Sequence, residues 1–273
     1  MSWPSTGCFQ VTYDNIEQWL TQTERLLKDL ELKSTLEEKL TQLNKLKSVK
    51  TDVESHQADV DKFTDVAQTL MNVVVVAGSD ARGSTNVTTS ADPRVGANVT
   101  LTSQRYDALR LRVNELIDKW QRLVHDHEMY RDAYNDLTSW IAATKHLLDD
   151  ASSTTSAASP SSSRDAATIE AQRQQLARVI AEKDVGYEKL NRTVEYGDVL
   201  YPDTAQSGRD KIRHQIRLAK EVWDSLLADI SKQQSVTDTA LLHWSAYSDA
   251  AQQIKVPAHT HVSALAASVT VRL

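Results

Sequence analysis

The chain has 273 residues and carries 31 Lys and Arg against 37 Asp and Glu, a net charge of −6. That length suits two domains of ordinary size, and a mildly acidic chain without a basic block argues against nucleic acid or an anionic membrane as the main partner. Seven Gly and five Pro are too few for the many tight turns of an all-β sandwich or barrel.

Cys8 is the single cysteine and cannot form an internal disulfide, which suits a reducing compartment. Met1-Ser2-Trp3-Pro4 has neither a basic start nor an apolar run, so no secretory signal is expected. The longest apolar run, Val73 to Ala77, falls far short of the ~20 residues of a membrane span. A cytoplasmic chain is therefore expected. Asn86, Asn98 and Asn191 each begin an Asn-X-Thr triplet, read as chance in such a chain.

In chain order, Tyr13, Ile16, Leu20, Leu27 and Leu30 mark a first helix, with Trp19 and Leu26 widening its apolar face. Asp14 or Asn15 could cap it. A second helix starts near Ser34 or Thr35. Leu36, Leu40 and Leu43 lead, through a one-residue slip, into Leu46, Val49, Val53, His56, Val60, Phe63, Ala67 and Leu70. Val73 to Val76 reads as the end of this helix. Residues 78–103, rich in Gly, Ser, Thr and Asn, read as an inserted loop.

The most informative segment comes next. Tyr106, Leu109, Val113, Leu116, Trp120, Leu123, His127, Tyr130, Tyr134, Leu137, Ile141, Thr144 and Leu148 follow one another in alternating steps of three and four. Such a stripe is the seam of a coiled coil or long bundle helix. At 1.5 Å per residue it is roughly 65 Å long, more than one compact domain is deep. This helix is expected to join two domains.

Residues 151–163 read as a Ser-rich linker. Leu176, Ile180, Lys183, Tyr187, Leu190, Val194, Gly197 and Tyr201 then form another stripe, stopped by Pro202. The last helix carries Ile212, Ile216, Ala219, Trp223, Leu226 and Ile230, and runs on through Leu241, Leu242 and Trp244 to Pro257.

The chain repeats internally. Trp19 to Leu27 aligns with Trp140 to Leu148, matching Trp, Thr and a Leu pair. Trp120 aligns with Trp223, 103 residues on, and superposes Leu109, Val113, Leu116 and Leu123 on Ile212, Ile216, Ala219 and Leu226. A period near 100 with this layout predicts tandem three-helix units stacked end to end. The fold class expected is all-α: left-handed coiled-coil bundles joined by a continuous helix. The units expected are 10–131, enlarged by the loop 78–103; 132–235, containing the linker 151–163; 236–256, the first helix of an incomplete third unit; and 257–273, a disordered tail.

A Trp in the first helix, a Trp in the third and a continuous helix between units resemble the spectrin-repeat family over residues 10–256. Within that family the chain looks most like the nesprins. That likeness rests on Arg105-Tyr106-Asp107-Ala108-Leu109, on Asp203-Thr204-Ala205-Gln206-Ser207-Gly208-Arg209, and on Leu242-His243-Trp244-Ser245-Ala246-Tyr247. Dystrophin-like or spectrin-like membership is the alternative. The resemblance implies a non-catalytic structural spacer and protein-interaction scaffold of the cytoskeleton, linked to the outer nuclear membrane through a longer parent protein. The competing reading is an adaptor whose repeats bind actin filaments or lipid directly. Expected partners are other proteins, cytoskeletal, actin-associated or of the nuclear envelope, with self-association open as a further contact.

Trp19, Trp120, Trp140, Trp223, Trp244, Leu109, Leu116 and Leu123 are the expected core, since a thin bundle needs large anchors of roughly 200 Å² each. No catalytic, cofactor or metal site is expected. His125 and His127 are two residues apart on a helix, about 200°, and point apart. His259 and His261 lack further ligands nearby, and Cys8 lacks an activating neighbour. No phosphate-cradling Gly loop or nucleophile triad is present.

Overall fold

The computed structural model describes residues 4–28, 30–76, 93–156 and 166–270. They form seven helices and, among the described residues, no strand. These are α1 (Pro4–Lys28), α2 (Leu36–Ser55), α3 (Gln57–Val76), α4 (Pro93–Ser156), α5 (Ala166–Ala181), α6 (Lys183–Leu200) and α7 (Gln206–Thr270). The chain forms two compact units. Unit 1 is Met1–Glu128 together with Leu200–Asp210; unit 2 is Met129–Val199 with Lys211–Leu273. The short segment between α6 and α7 thus folds with unit 1, which the tandem layout read from the sequence did not anticipate.

The core of unit 1 takes Phe9, Ile16, Leu20 and Leu27 from α1. Leu36, Leu43, Leu46 and Val53 come from α2, and Val60, Phe63 and Ala67 from α3. The stripe from Tyr106 to Val124 comes from α4. Unit 2 gathers Leu137, Ile141 and Leu148 of α4, Leu176 and Val179 of α5, Leu190 of α6, and Ala219, Trp223, Leu226 and Ile230 of α7. Every residue of the long stripe is buried except His127 and Tyr134, which are half-buried. Heptad spacing keeps one face of a helix turned to its neighbours, so the stripe and the burial coincide.

The start of α2 is fixed locally. Thr35 is extended, at φ −118° and ψ 160°, and its hydroxyl accepts the Glu38 amide at 3.2 Å. The Glu38 carboxylate accepts in return from the amides of Ser34 (2.8 Å) and Thr35 (3.2 Å). This reciprocal cap satisfies orphan donors and stabilises the helix by about 1 kcal/mol.

Several sequence expectations are corrected. The helix α4 begins at Pro93, so residues 93–103 are helical and not loop. Proline is well suited to the first helical position, where its fixed φ is already helical and its missing N–H has no partner to lose. Residues 78–92 of the expected loop lie outside the described residues. The expected linker 151–163 is helical through Ser156, and its remainder likewise lies outside them. Helix α7 continues through Pro257 to Thr270, where a break and a disordered tail were expected. A proline forfeits one backbone hydrogen bond, but Ala258, Ala264, Leu265, Ala266 and Ala267 then favour the helix.

Register is corrected in three places. On α1 the inward position between Leu20 and Leu27 belongs to Thr23, while Leu26 is 67% exposed. On α2 there is no slip: the buried series runs Leu36, Lys39, Leu43, Leu46, and Leu40 lies at the surface. On α5 and α6 the inward residues are Val179 and Gly186, and Ile180 and Tyr187 are exposed. The second helix of each unit is also interrupted by one residue, His56 in unit 1 and Glu182 in unit 2.

Candidate functional site

Two constructions stand out, an aromatic anchor in each unit and a buried lysine in unit 1. In unit 1, Trp19 of α1 lies flat on His56, with ring centroids 3.9 Å apart and planes 8° from parallel. Its indole N–H donates to Asp52 Oδ2 at 2.9 Å. Tyr106 of α4 lies 6.3 Å from the Trp19 ring, and its hydroxyl donates to the Val53 carbonyl at 2.8 Å. The anchor therefore sits at the one-residue interruption between α2 and α3, where a side-chain donor reaches a carbonyl of the last turn of α2. Burial is the largest influence on the Tyr106 phenol and pushes its pKa up.

In unit 2 the corresponding first-helix tryptophan, Trp140, faces Trp223 at 5.7 Å. Gly186 lies beneath both rings, just after the interruption at Glu182. Ring contacts thus pair Trp19 with Tyr106 and Trp140 with Trp223. The sequence alignment of Trp120 with Trp223 instead paired residues that play different parts. Trp120 is buried deeper along α4, between Leu116 and Leu123.

Of the core residues named from the sequence, Trp120, Trp223, Leu109, Leu116 and Leu123 are buried. Trp19 and Trp140 are half-buried against the two cores. Trp244 is only half-covered and meets Tyr247, which is 65% exposed, in a tilted contact with ring centroids 5.7 Å apart.

The three short motifs map onto distinct features. Beside Tyr106, Arg105 clamps α1. Its Nε and Nη2 reach the two Glu24 oxygens at 3.1 and 2.9 Å, and Nη1 pairs with Glu17. The bidentate Glu24 contact raises the guanidinium pKa further. Leu242 to Tyr247 is a stretch of α7 exposed except at the half-covered Trp244. Asp203 to Arg209 is the segment that folds with unit 1.

That segment docks on the turn before α2. The Ala205 amide donates to the Lys33 carbonyl at 3.2 Å, and the Ser34 and Ser207 hydroxyls are 2.5 Å apart. Gly208 permits the approach, because a Cβ there would stand 2.5 Å from the Ser34 carbonyl oxygen. Beneath them Lys39, fully buried, donates from Nζ to Thr204 Oγ1 at 3.2 Å. The Thr204 hydroxyl in turn donates to the Leu200 carbonyl at 2.8 Å. Burial lowers the Lys39 pKa from 10.5 to about 8, against the opposing pull of Asp203 and Asp126. The sequence reading missed Lys39. Its only signal was the step of three from Leu36, which lands on a lysine where the eye prefers Leu40.

Among the described residues no group of His, Cys, Asp and Glu could hold a metal ion, and no helix is long and apolar enough to cross a membrane. His125 is exposed and His127 half-buried on α4. The side chains of Cys8, His259 and His261 lie outside the described residues.

The spectrin repeat family model matches residues 8–82. The muscle-specific protein 300 kDa of Drosophila melanogaster is 26% identical over 247 residues, 90% of this chain and 2% of that protein. The chain therefore spans only a small fraction of that relative's length. The chain is helical throughout its described residues apart from short turns, and over residues 8–82, from within α1 through α3, it is similar to the spectrin repeat family that its sequence resembles.

Proposed function

We propose that the chain is a non-catalytic structural spacer and protein-interaction scaffold of the cytoskeleton, part of a longer nesprin-like protein that links cytoskeleton and nuclear envelope. The observation that carries the spacer reading is α4. One unbroken helix of 64 residues supplies core residues to both units. Helix formation is cooperative, so a helix shared in this way couples the folding of one core to that of the next. The likeness to a muscle-specific protein supports a cytoskeletal setting. Tagged chain expressed in cells should co-fractionate with the cytoskeleton and bind protein partners at the nuclear envelope. Wholly diffuse chain with no stable protein partner would overturn the reading.

A second reading, direct binding of actin filaments or lipid, draws support from one face of α7. Residues 211–220 contain Lys211, Arg213, Arg217 and Lys220 and no carboxylate. All four are exposed, and Arg213, Arg217 and Lys220 share one face of the helix, away from the inward Ile212 and Ala219, whereas Lys211 lies about 200° from Arg213. Co-sedimentation with actin filaments and with anionic vesicles, each at two salt concentrations, separates the readings. A salt-sensitive interaction lost on Arg213→Glu with Arg217→Glu favours the second.

A further inference from the structure

Lys39 occupies an inward seam position where a leucine would add apolar contact without burying a charge. Its ammonium has one close side-chain acceptor, the neutral Thr204 hydroxyl at 3.2 Å. The charged groups around it are few. Asp203, from the docked segment, and Asp126, from α4, act on it through space. Arg209 is turned away, bonded to the Thr204 and Pro202 carbonyls at 2.7 and 2.8 Å and lying 5.4 Å from the Tyr201 ring centroid. On its own helix, Glu38 is engaged in the cap of α2.

We propose that the Lys33–Lys39 end of unit 1 is a reversible docking site for the segment Leu200–Asp210, and that Lys39 is its latch. The latch selects and it releases. It selects because only a turn that places a hydroxyl over Nζ leaves the buried ammonium with an acceptor; any other occupant would strand it. It releases because the ammonium regains water when the segment lifts away, so the docked state carries a desolvation penalty that the undocked state lacks. Beside this bond the segment meets the turn through a backbone bond, a hydroxyl pair and the close Gly208 approach, and its Leu200 is buried. Because its docked state carries the Lys39 desolvation penalty, the segment opens before the helices lose their apolar core.

The charge makes the latch pH-dependent. A neutral Lys39 amine still donates to Thr204 but loses most of the desolvation penalty. Docking therefore strengthens as pH rises past about 8, and the docking constant should grow about tenfold between pH 7 and pH 9.

The test is amide hydrogen exchange on the full chain, corrected for intrinsic rate, reading the Ala205 amide against amides in the middle of α1. The Ala205 protection factor should rise about tenfold from pH 7 to pH 9 while α1 stays level. Lys39→Met should raise Ala205 protection at pH 7 and remove the pH slope. Thr204→Val should lower Ala205 protection and leave α1 unchanged. The proposal is overturned if wild-type protection at Ala205 does not depend on pH, if Lys39→Met keeps the slope, or if Lys39→Met releases the segment while α1 stays protected. Should Lys39→Met fail to fold, the wild-type slope and the Thr204→Val result still decide the matter.

Discussion

Gly186 lies directly against Trp140: a Cβ added there would stand 2.3 Å from Trp140 Cη2 and 2.6 Å from Trp223 Cζ3. Two indole rings fill the inward space of unit 2, and α6 can pass them only with hydrogen as the side chain. This relationship also explains the register of α6, since shifting it to bury Tyr187 would drive a phenol into occupied volume.

Gly186→Ala should destabilise unit 2 by about 1 to 3 kcal/mol, the usual cost of overpacking. Gly96→Ala on α4 is the control, because there the nearest atom to a new Cβ is Met71 Sδ at an ordinary 3.8 Å. Helix propensity should make that change neutral or stabilising by up to about 1 kcal/mol. Urea titrations followed by circular dichroism compare the two. Equal losses would show that Gly186 serves no packing purpose.

Lys39→Met should stabilise unit 1 at neutral pH. The native pKa of about 8 lies below the ordinary 10.5, so the native state binds fewer protons than the unfolded chain between those values. Stability therefore rises with pH across that window, and the penalty is fully present below it. A shift of this size corresponds to about 3 kcal/mol, to which replacing the charge by a similar apolar volume should come close. Urea midpoints at pH 7 and pH 10 measure both effects. A less stable Lys39→Met at pH 7 would contradict them.

Trp120→Ala or Trp223→Ala should cost about 3 to 5 kcal/mol, because each side chain is buried in a core. Trp244→Ala should cost far less, since Trp244 is only half-covered and lies outside both apolar cores. Tyr106→Phe should cost about 1 kcal/mol by leaving the Val53 carbonyl without its phenol donor. Denaturant midpoints rank the four variants. Equal losses at Trp120, Trp223 and Trp244 would refute the ranking.

Glu128→Pro tests the shared helix. Glu128 is the last residue assigned to unit 1 before α4 enters unit 2. Proline there should cost about 3 kcal/mol by removing a backbone bond and clashing with the preceding turn. It should also split one cooperative unfolding transition into two. If the unaltered chain already unfolds in two separate steps that Glu128→Pro leaves unchanged, α4 does not couple the units.

The helices and most of their buried faces were legible in the amino-acid sequence alone. The stripe from Tyr106 to Leu148 is local information: spacing by threes and fours turns these side chains to one side of a helix whatever lies opposite. The cap Ser34-Thr35-x-x-Glu38 is equally local. What only the tertiary structure decided is which residue fills each contested inward place. Lys39 displaces Leu40, and Gly186 displaces Tyr187, because the space available is set by Thr204, Trp140 and Trp223, far away along the chain. The same holds for the ring that meets Trp19. Repeat spacing aligned Trp120 with Trp223, yet Tyr106 is the α4 ring that meets Trp19, and its hydroxyl donates to the Val53 carbonyl. Periodicity determines a face; the volumes and polar groups of the helices opposite determine its occupants.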